Sequence, residues 1–135
     1  MKYLVTGITG FAGPHLAKLL LEKGHEVHGV LRGANGREMD LLDIVSVDEI
    51  ESINFHYADL KDYNGLEKVL SEDFDGVFHL AAQNHPPTSF SNPLMTWQEN
   101  VLASMNIITL LENTDTKMMF CSTSEVYGDT CKDIG

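Results

Sequence analysis

The sequence is short of basic residues, cysteine and long apolar runs, and each shortage narrows what the protein does. Nine Lys and Arg stand against twenty Asp and Glu, a formal net charge of −11, and the pI lies near 4.7. A surface this acidic repels phosphate polyanions at long range, so neither nucleic acid nor an anionic membrane is expected as a partner. A small phosphorylated ligand remains compatible, because a local nest of backbone N–H groups binds phosphate whatever the net charge. The two cysteines, Cys121 and Cys131, form no C-x-x-C pair, a pattern that suits a reducing compartment better than a disulfide scaffold. The six histidines lack metal-ligand spacing along the chain, and no metal is expected. No stretch approaches the ~20 apolar residues of a membrane span. Met1 leads directly into Tyr3-Leu4-Val5 with no signal peptide ahead, so the expectation is a soluble, cytoplasmic protein.

What remains is ordinary globular composition: 135 residues, 43% hydrophobic and 21% charged, within the range of one domain able to bury a core without staples. No internal repeat, low-complexity run or linker divides it. Apolar runs predict strands over Lys2–Thr6, Glu26–Leu31, Ile53–Tyr57, Gly76–Leu80 and Met118–Cys121. Helical spacing predicts helices over Pro14–Lys23, Tyr63–Ser71 and Trp97–Glu112, with a weaker segment around Met39–Val47. Gly24 suits a C′ position after the first helix, and Pro14 is tolerated near its start, where N–H groups have no intrahelical partner. Asn35-Gly36 marks a loop, and Pro86-Pro87 predicts an extended one. The Met118-Met119-Phe120 run reads as strand core, and Cys121 as buried and inert.

Strands alternating with helices predict an α/β fold, a parallel sheet with helices on both faces. Ligands bind such sheets at the carboxyl ends of the strands, so the residues that follow each strand matter most. After the first come Thr6-Gly7-Ile8-Thr9-Gly10-Phe11-Ala12-Gly13, opening a helix. A strand, Gly-rich turn and helix allow positive φ and close approach of backbone to a pyrophosphate. The second strand ends in Arg32, with Arg37 in the loop beyond. An acidic residue there, about twenty residues past the glycines, accepts from the ribose 2′-OH of NAD. A guanidinium instead binds a 2′-phosphate, so Arg32 and Arg37 favour NADP over NAD.

The G-x-x-G-x-x-G spacing after Thr6 resembles the extended short-chain dehydrogenase/reductase family, the sugar-nucleotide epimerases and dehydratases. The resemblance runs along essentially the whole chain. Asp59-Leu60 matches the family's adenine-contacting pair, and His79-Leu80-Ala81-Ala82-Gln83 its H-L-A-A motif beside the cofactor. Asn100-Val101 matches its N-V pair, and Ser122-Thr123-Ser124-Glu125-Val126-Tyr127-Gly128 its catalytic stretch. This implies a Rossmann-type doubly wound sheet in which Gly7, Thr9, Gly10, Phe11, Ala12, Gly13, Leu80, Ala81, Ala82 and Asn100 line the cofactor. Gln83, His85 and Ser89 fall where the family lines its sugar pocket, although Asn84 and Pro86-Pro87 depart from the family pattern. The run His28-Gly29-Val30-Leu31-Arg32 is similar to that of GDP-mannose 4,6-dehydratases, which use NADP.

Removing water across C5 and C6 of a hexose requires C4 to be oxidised first, since the ketone acidifies the C5 proton. The resemblance implies Glu125 as the base at C5 and Thr123 as the partner of a sugar hydroxyl. Ser124 stands where some members carry an Asp acid, so Glu125 serves both steps. UDP-glucuronate decarboxylases carry a similar S-T-S-E-V-Y-G. The family's Tyr-x-x-x-Lys pair is expected well beyond this stretch, whereas the sequence ends at Gly135 and Tyr127 has Cys131 four residues on. Residues 1–135 are therefore expected to be the amino-terminal portion of a dinucleotide-binding domain, truncated before the later strands and the substrate lobe. Such a chain is expected to be inactive by itself. The readings that follow are this portion of an NADP-dependent dehydratase acting on a sugar nucleotide such as GDP-mannose, a decarboxylase or epimerase/reductase of the same family, or a non-catalytic NADP(H)-binding module. Uncovered sheet edge and apolar surface predict self-association as a homo-oligomer.

Overall fold

Each apolar run is short enough to be a strand and is followed by a polar or glycine-containing turn, and the structure, a computed structural model, realises all five. It describes residues 1–33 and 37–128; the Asn35-Gly36 loop and Cys131 lie outside them. The strands are β1 (Lys2–Thr6), β2 (Glu26–Leu31), β3 (Asn54–Tyr57), β4 (Gly76–His79) and β5 (Lys117–Phe120). The helices are α1 (Gly13–Glu22), α2 (Val47–Glu51), α3 (Tyr63–Leu70), α4 (Pro86–Ser91), α5 (Pro93–Trp97) and α6 (Ala103–Leu111). All strand pairs are parallel, in the order β3-β2-β1-β4-β5. The order reverses between β1 and β4, which places a topological switch point, and hence a crevice, at the carboxyl end of β1.

Alternation along the strands feeds two cores. Val5, Val27 and Leu31 face Ala17 and Leu20 of α1. Leu4, Val30 and Val77 face Leu66 and Val69 of α3 and Ile107 and Leu111 of α6. Because successive side chains point to opposite faces, a strand buried on both sides must be apolar throughout, as the inner part of β1 is. Helix α1 ends as its sequence predicts: Gly24 has φ +74°, and its N–H reaches the Leu21 carbonyl at 2.8 Å.

Several expectations are corrected. Pro86-Pro87 does not hold an extended loop; both prolines sit in the first turn of α4, where their missing N–H groups cost nothing. The weak Met39–Val47 segment divides into a 3₁₀ turn at Arg37–Leu41 and α2, whose start is set by a capping box between Ser46 and Glu49. The long Trp97–Glu112 helix is interrupted by a wide π turn at Gln98–Leu102. Its buried face is Ala103, Ile107 and Leu111, while Val101, Met105 and Ile108 are exposed with Leu94 and Trp97. Met119 and Phe120 are likewise exposed, and so is Cys121. The cause is position: among the described residues β5 is an edge strand, covered on one side only, and Cys121 lies just past its end.

One buried polar chain ties the layers together. His79, 1% exposed at the end of β4, lies 2.7 Å from Thr6 Oγ1 through Nδ1 and 2.9 Å from Ser104 Oγ through Nε2. The Ser104 hydroxyl donates to the Asn100 carbonyl at 2.6 Å, and Thr6 Oγ1 accepts from the Ala81 N–H at 3.2 Å. With those roles taken, His79 must carry its proton on Nε2, so that every group has one donor and one acceptor. Burial pushes the imidazole down to about 4 from its ordinary 6.5, which keeps it neutral near pH 7.

The unfolded chain thus binds more protons than the folded one between pH 4 and 6.5. The stability held by neutral His79 is complete above pH 6.5 and is lost as the pH falls through about 4. The loss from this residue is about 3 kcal/mol. Chemical denaturation across this range, with the His79 ring followed by NMR, should give that slope and a midpoint near 4; titration near 6.5 would show the ring to be solvated.

Candidate functional site

The crevice at the switch point is built mainly from the segments that follow β1, β2, β3 and β4. The β1–α1 loop turns sharply at Gly7, φ +69°. A Cβ there would lie 2.7 Å from the Ala81 N, and one at Gly13 would lie 2.3 Å from the Ile8 carbonyl oxygen. Both positions therefore need glycine, Gly7 for its conformation as well as its space. Helix α1 then begins at Gly13 with no side-chain cap at Ala12 and no acidic residue in its first turn. Its N–H groups and dipole are left facing the crevice, an arrangement suited to a pyrophosphate. Phe11, 95% exposed, stands at the rim.

Two contiguous clefts run from this loop. One is lined by Gly7, Thr9, Arg32, Arg37, Asp59, Leu60, Ala81 and Ala82 together with Glu99. The other carries Gly10, Phe11, Ala12, Gly13 and Leu80 alongside Arg32, Arg37 and Cys121. The structure thus brings together nearly all the residues expected to line the cofactor. Asn100 contributes differently: its Oδ1 accepts from the Gln83 N–H at 2.7 Å and its Nδ2 donates to the Gln83 carbonyl at 3.0 Å. It shapes the loop after β4, holding Gln83 from both ends of its amide.

A third cleft joins Ala81, Ala82, Asn100 and Ser104 to Phe120, Cys121, Ser122 and Thr123. Thr123 caps a 3₁₀ turn at Ser124–Tyr127, its Oγ1 accepting from the Glu125 N–H at 3.3 Å. Glu125 lies on that turn and is exposed. The structure places Thr123 beside the cofactor segments and leaves Glu125 outside the linings of these clefts. Gln83, His85 and Ser89 occupy the α4 approach. There Gln83 Nε2 donates to the His85 carbonyl at 3.0 Å, His85 Nδ1 meets Thr88 Oγ1 at 3.1 Å, and Ser89 donates to the Pro86 carbonyl at 2.7 Å.

Two groups in the crevice were not read from the sequence. Glu99, its side chain 13% exposed, accepts from Arg32 at 3.2 Å and from the Lys61 ammonium. The hydrogen bond from Lys61 to Glu99 holds that ammonium above its ordinary range. Glu99 sits beside Asn100 in the π turn, and only the tertiary approach of β2 and the Asp59-Leu60-Lys61 segment shows its role. Cys121, expected to be buried, opens into two of the three clefts. Tyr57 and Lys61 also have Tyr-x-x-x-Lys spacing, but they do not act as a pair. The Tyr57 hydroxyl donates to Glu38 at 2.6 Å, and this bond raises its pKa, the reverse of what a base requires.

A family model of GDP-mannose 4,6-dehydratase matches residues 4–134. The GDP-mannose 4,6-dehydratase of Vibrio cholerae serotype O1 is 38% identical over 133 residues, which cover 93% of this chain and 36% of that protein. UDP-glucuronic acid decarboxylase 1 of Danio rerio is 31% identical, over 95% of this chain and 28% of that protein. The chain therefore spans about a third of the length of the curated relatives it matches. The UDP-glucose 4-epimerase of Thermus thermophilus, solved as a complex with NAD, superposes with a TM-score of 0.74 at 30% identity, covering 91% of this chain and 38% of that one.

Adding a methyl group at Gly7 tests how tightly the crevice is made. Gly7→Ala places a carbon 2.7 Å from Ala81 N at φ +69° and should cost about 1–3 kcal/mol. Urea unfolding reads this directly, and an unchanged midpoint would mean that the loop after β4 yields freely.

Proposed function

The chain belongs to the GDP-mannose 4,6-dehydratase family, and from that premise we propose that it is the amino-terminal, NADP-binding part of a sugar-nucleotide 4,6-dehydratase. The observation that carries the reading is the convergence of the glycine loop, Arg32, Asp59-Leu60, Ala81-Ala82 and Thr123 on connected clefts at one end of the sheet. GDP-mannose is the proposed substrate, in line with the matched family and the Vibrio cholerae relative. The proposed setting is the cytoplasm, and no described helix is long and apolar enough to cross a membrane.

The residues present fit a dinucleotide. Gly7 and Gly13 let the β1–α1 loop pack directly on the Leu80-Ala81 and Ile8 backbone, which draws the loop in tightly ahead of α1, and the uncapped α1 terminus supplies N–H groups for a pyrophosphate. Arg32 and Arg37 would take the 2′-phosphate of NADP. Arg37 now holds an exposed ion pair with Asp40, and Arg32, its own side chain 65% exposed, pairs with the more enclosed Glu99. Such pairs are worth little, so both guanidinium groups remain available to a stronger bidentate acceptor. The nicotinamide, when bound, supplies the acceptor and donor of the C4 and C6 hydride.

Around the sugar, the proposal gives Thr123 the task of holding a hydroxyl and Glu125 that of moving the C5 proton, with Ser124 beside them. Glu125 then returns a proton to the leaving C6 hydroxyl, since no Asp occupies position 124. Gln83, His85 and Ser89 contact the sugar after giving up their present local hydrogen bonds to the His85 carbonyl, Thr88 and the Pro86 carbonyl. No Tyr-x-x-x-Lys follows Glu125 within the sequence, so the 135-residue polypeptide alone should not turn over substrate. The exposed row of Leu94, Trp97, Val101, Met105 and Ile108 supports assembly as a homo-oligomer. A second reading, decarboxylation of UDP-glucuronate, draws on the Danio rerio relative and on the shared S-T-S-E-V-Y-G.

Two measurements test the proposal. The product of the complete reading frame, given GDP-mannose, should form the 4-keto-6-deoxy sugar nucleotide. Glu125→Gln should slow this by about 10²–10⁴-fold, whereas carbon dioxide released from UDP-glucuronate would favour the second reading. For the 135-residue chain, calorimetry should show NADPH binding no tighter than micromolar, with Arg32→Ala lowering the preference over NADH by about tenfold. An equal loss for both nucleotides would remove Arg32 from the 2′-phosphate site.

A further inference from the structure

On the face of the sheet covered by α3, His28 of β2, His56 of β3 and Glu72 of the α3–β4 turn bring three potential ligand atoms within 4.8 Å of one another. We propose that these three residues form a site for a divalent transition ion of the zinc class, clasping β2, β3 and the start of β4. Nothing in this inference depends on the nucleotide-binding reading.

The geometry is close to what such an ion requires. His28 Nδ1 and His56 Nε2 lie 2.7 Å apart. Each is 3.9 Å from a different Glu72 oxygen, Nδ1 from Oε2 and Nε2 from Oε1. Tetrahedral bonds of about 2.0–2.1 Å put ligand atoms about 3.3 Å apart. The observed spacings bracket that value, and small side-chain movements would equalise them. His28 and His56 are separated by 28 residues, so sequence spacing does not reveal the cluster. Register does: Val30 pairs with His56, which sets His28 and His56 on one face as diagonal neighbours.

The surroundings also resemble a built metal site. Glu26 Oε1 lies 2.8 Å from His28 Nε2. A carboxylate accepts only, so it keeps the proton on Nε2 and presents the Nδ1 lone pair inward, as carboxylates commonly do behind metal-bound histidines. Phe74 packs edge-on against both imidazoles, with centroids at 5.1 and 6.4 Å, and fixes their planes. The side chains of His28, His56 and Glu72 are 5%, 18% and 40% exposed, so the site is dry on one side and reachable from the other. Lys2 already places a cation on Glu72 Oε2. An arriving ion would displace that ammonium, and the proton on His56 Nε2 would move to Nδ1 or leave to solvent. A fourth position would then be open to water.

Zn²⁺ alone, titrated into the chelator-stripped 135-residue chain against a chromophoric competitor, tests this. One equivalent should bind with a micromolar or tighter dissociation constant, move the His28 and His56 ring resonances in NMR and raise the melting temperature. His56→Asn and Glu72→Gln should each weaken binding by about tenfold or more, and Glu26→Gln by about 10–100-fold. His15→Asn, on exposed α1, should not. Lys2→Met should tighten binding, because it removes the competing cation. Circular dichroism establishes that each variant is folded, and Glu72 is exposed enough that its amide should not unfold the chain. The proposal is overturned by absence of binding, by unchanged affinity in folded Glu72→Gln and His56→Asn, or by ring resonances that do not respond.

Discussion

The hydrogen-bond chain through His79 is the constraint on which the rest of the molecule depends. It begins at the Ala81 N–H, passes through Thr6, His79 and Ser104, and ends at the Asn100 carbonyl. It therefore links β1, β4, the loop after β4 and the helix that crosses behind them. Each member is satisfied only if all are in place, because a buried donor or acceptor left unpaired costs about 1–3 kcal/mol. The same residues hold the crevice open. Ala81 sits against Gly7 with no space for a side chain between them, and Asn100 uses both ends of its amide to hold Gln83. Fold and site are thus positioned by one buried network.

Charge is balanced locally in the crevice despite the acidic whole. Arg32, Arg37 and Lys61 face Glu99, Asp40 and Asp59. These pairs lie at the rim or partly exposed, where their net worth is small and exchange for a ligand is easy. An acidic protein can in this way present a phosphate-compatible groove without a basic surface. The β2–β3 side of the sheet, on its α3 face, shows the reverse arrangement, with imidazoles and carboxylates drawn around one point by strand register and a phenylalanine wall.

Much of the architecture was legible because it rests on local patterns. β1 and β2 occur where their apolar runs predict, and Gly24 ends α1 as a C′ glycine should. The glycine loop, Asp59-Leu60, Ala81-Ala82 and Thr123 could be assigned to one crevice because each directly follows a strand. Other features were hidden for physical reasons. Pro86-Pro87 suits an extended segment and a first helical turn equally, and packing chose the turn. The apolar stripe of Val101, Met105 and Ile108 has the same period as the stripe that is buried, Ala103, Ile107 and Leu111. Periodicity identifies a helix but cannot choose between two apolar faces. Cys121 looks like a core residue until β5 is seen to be the edge of the sheet among the described residues.

The sequence by itself determined the alternation of strands and helices, the glycine turn after β1 and the residue types that follow each strand. These depend on side-chain period, backbone steric limits and cap chemistry, all of which act within a few residues. Only the tertiary structure decided which strand lies beside which, that Glu99 answers Arg32 and Lys61, and that His28 and His56 meet. Those contacts join residues tens of positions apart. Their geometry is set by parallel register and by packing of α3 and α6 against one face of the sheet, and no local pattern encodes either.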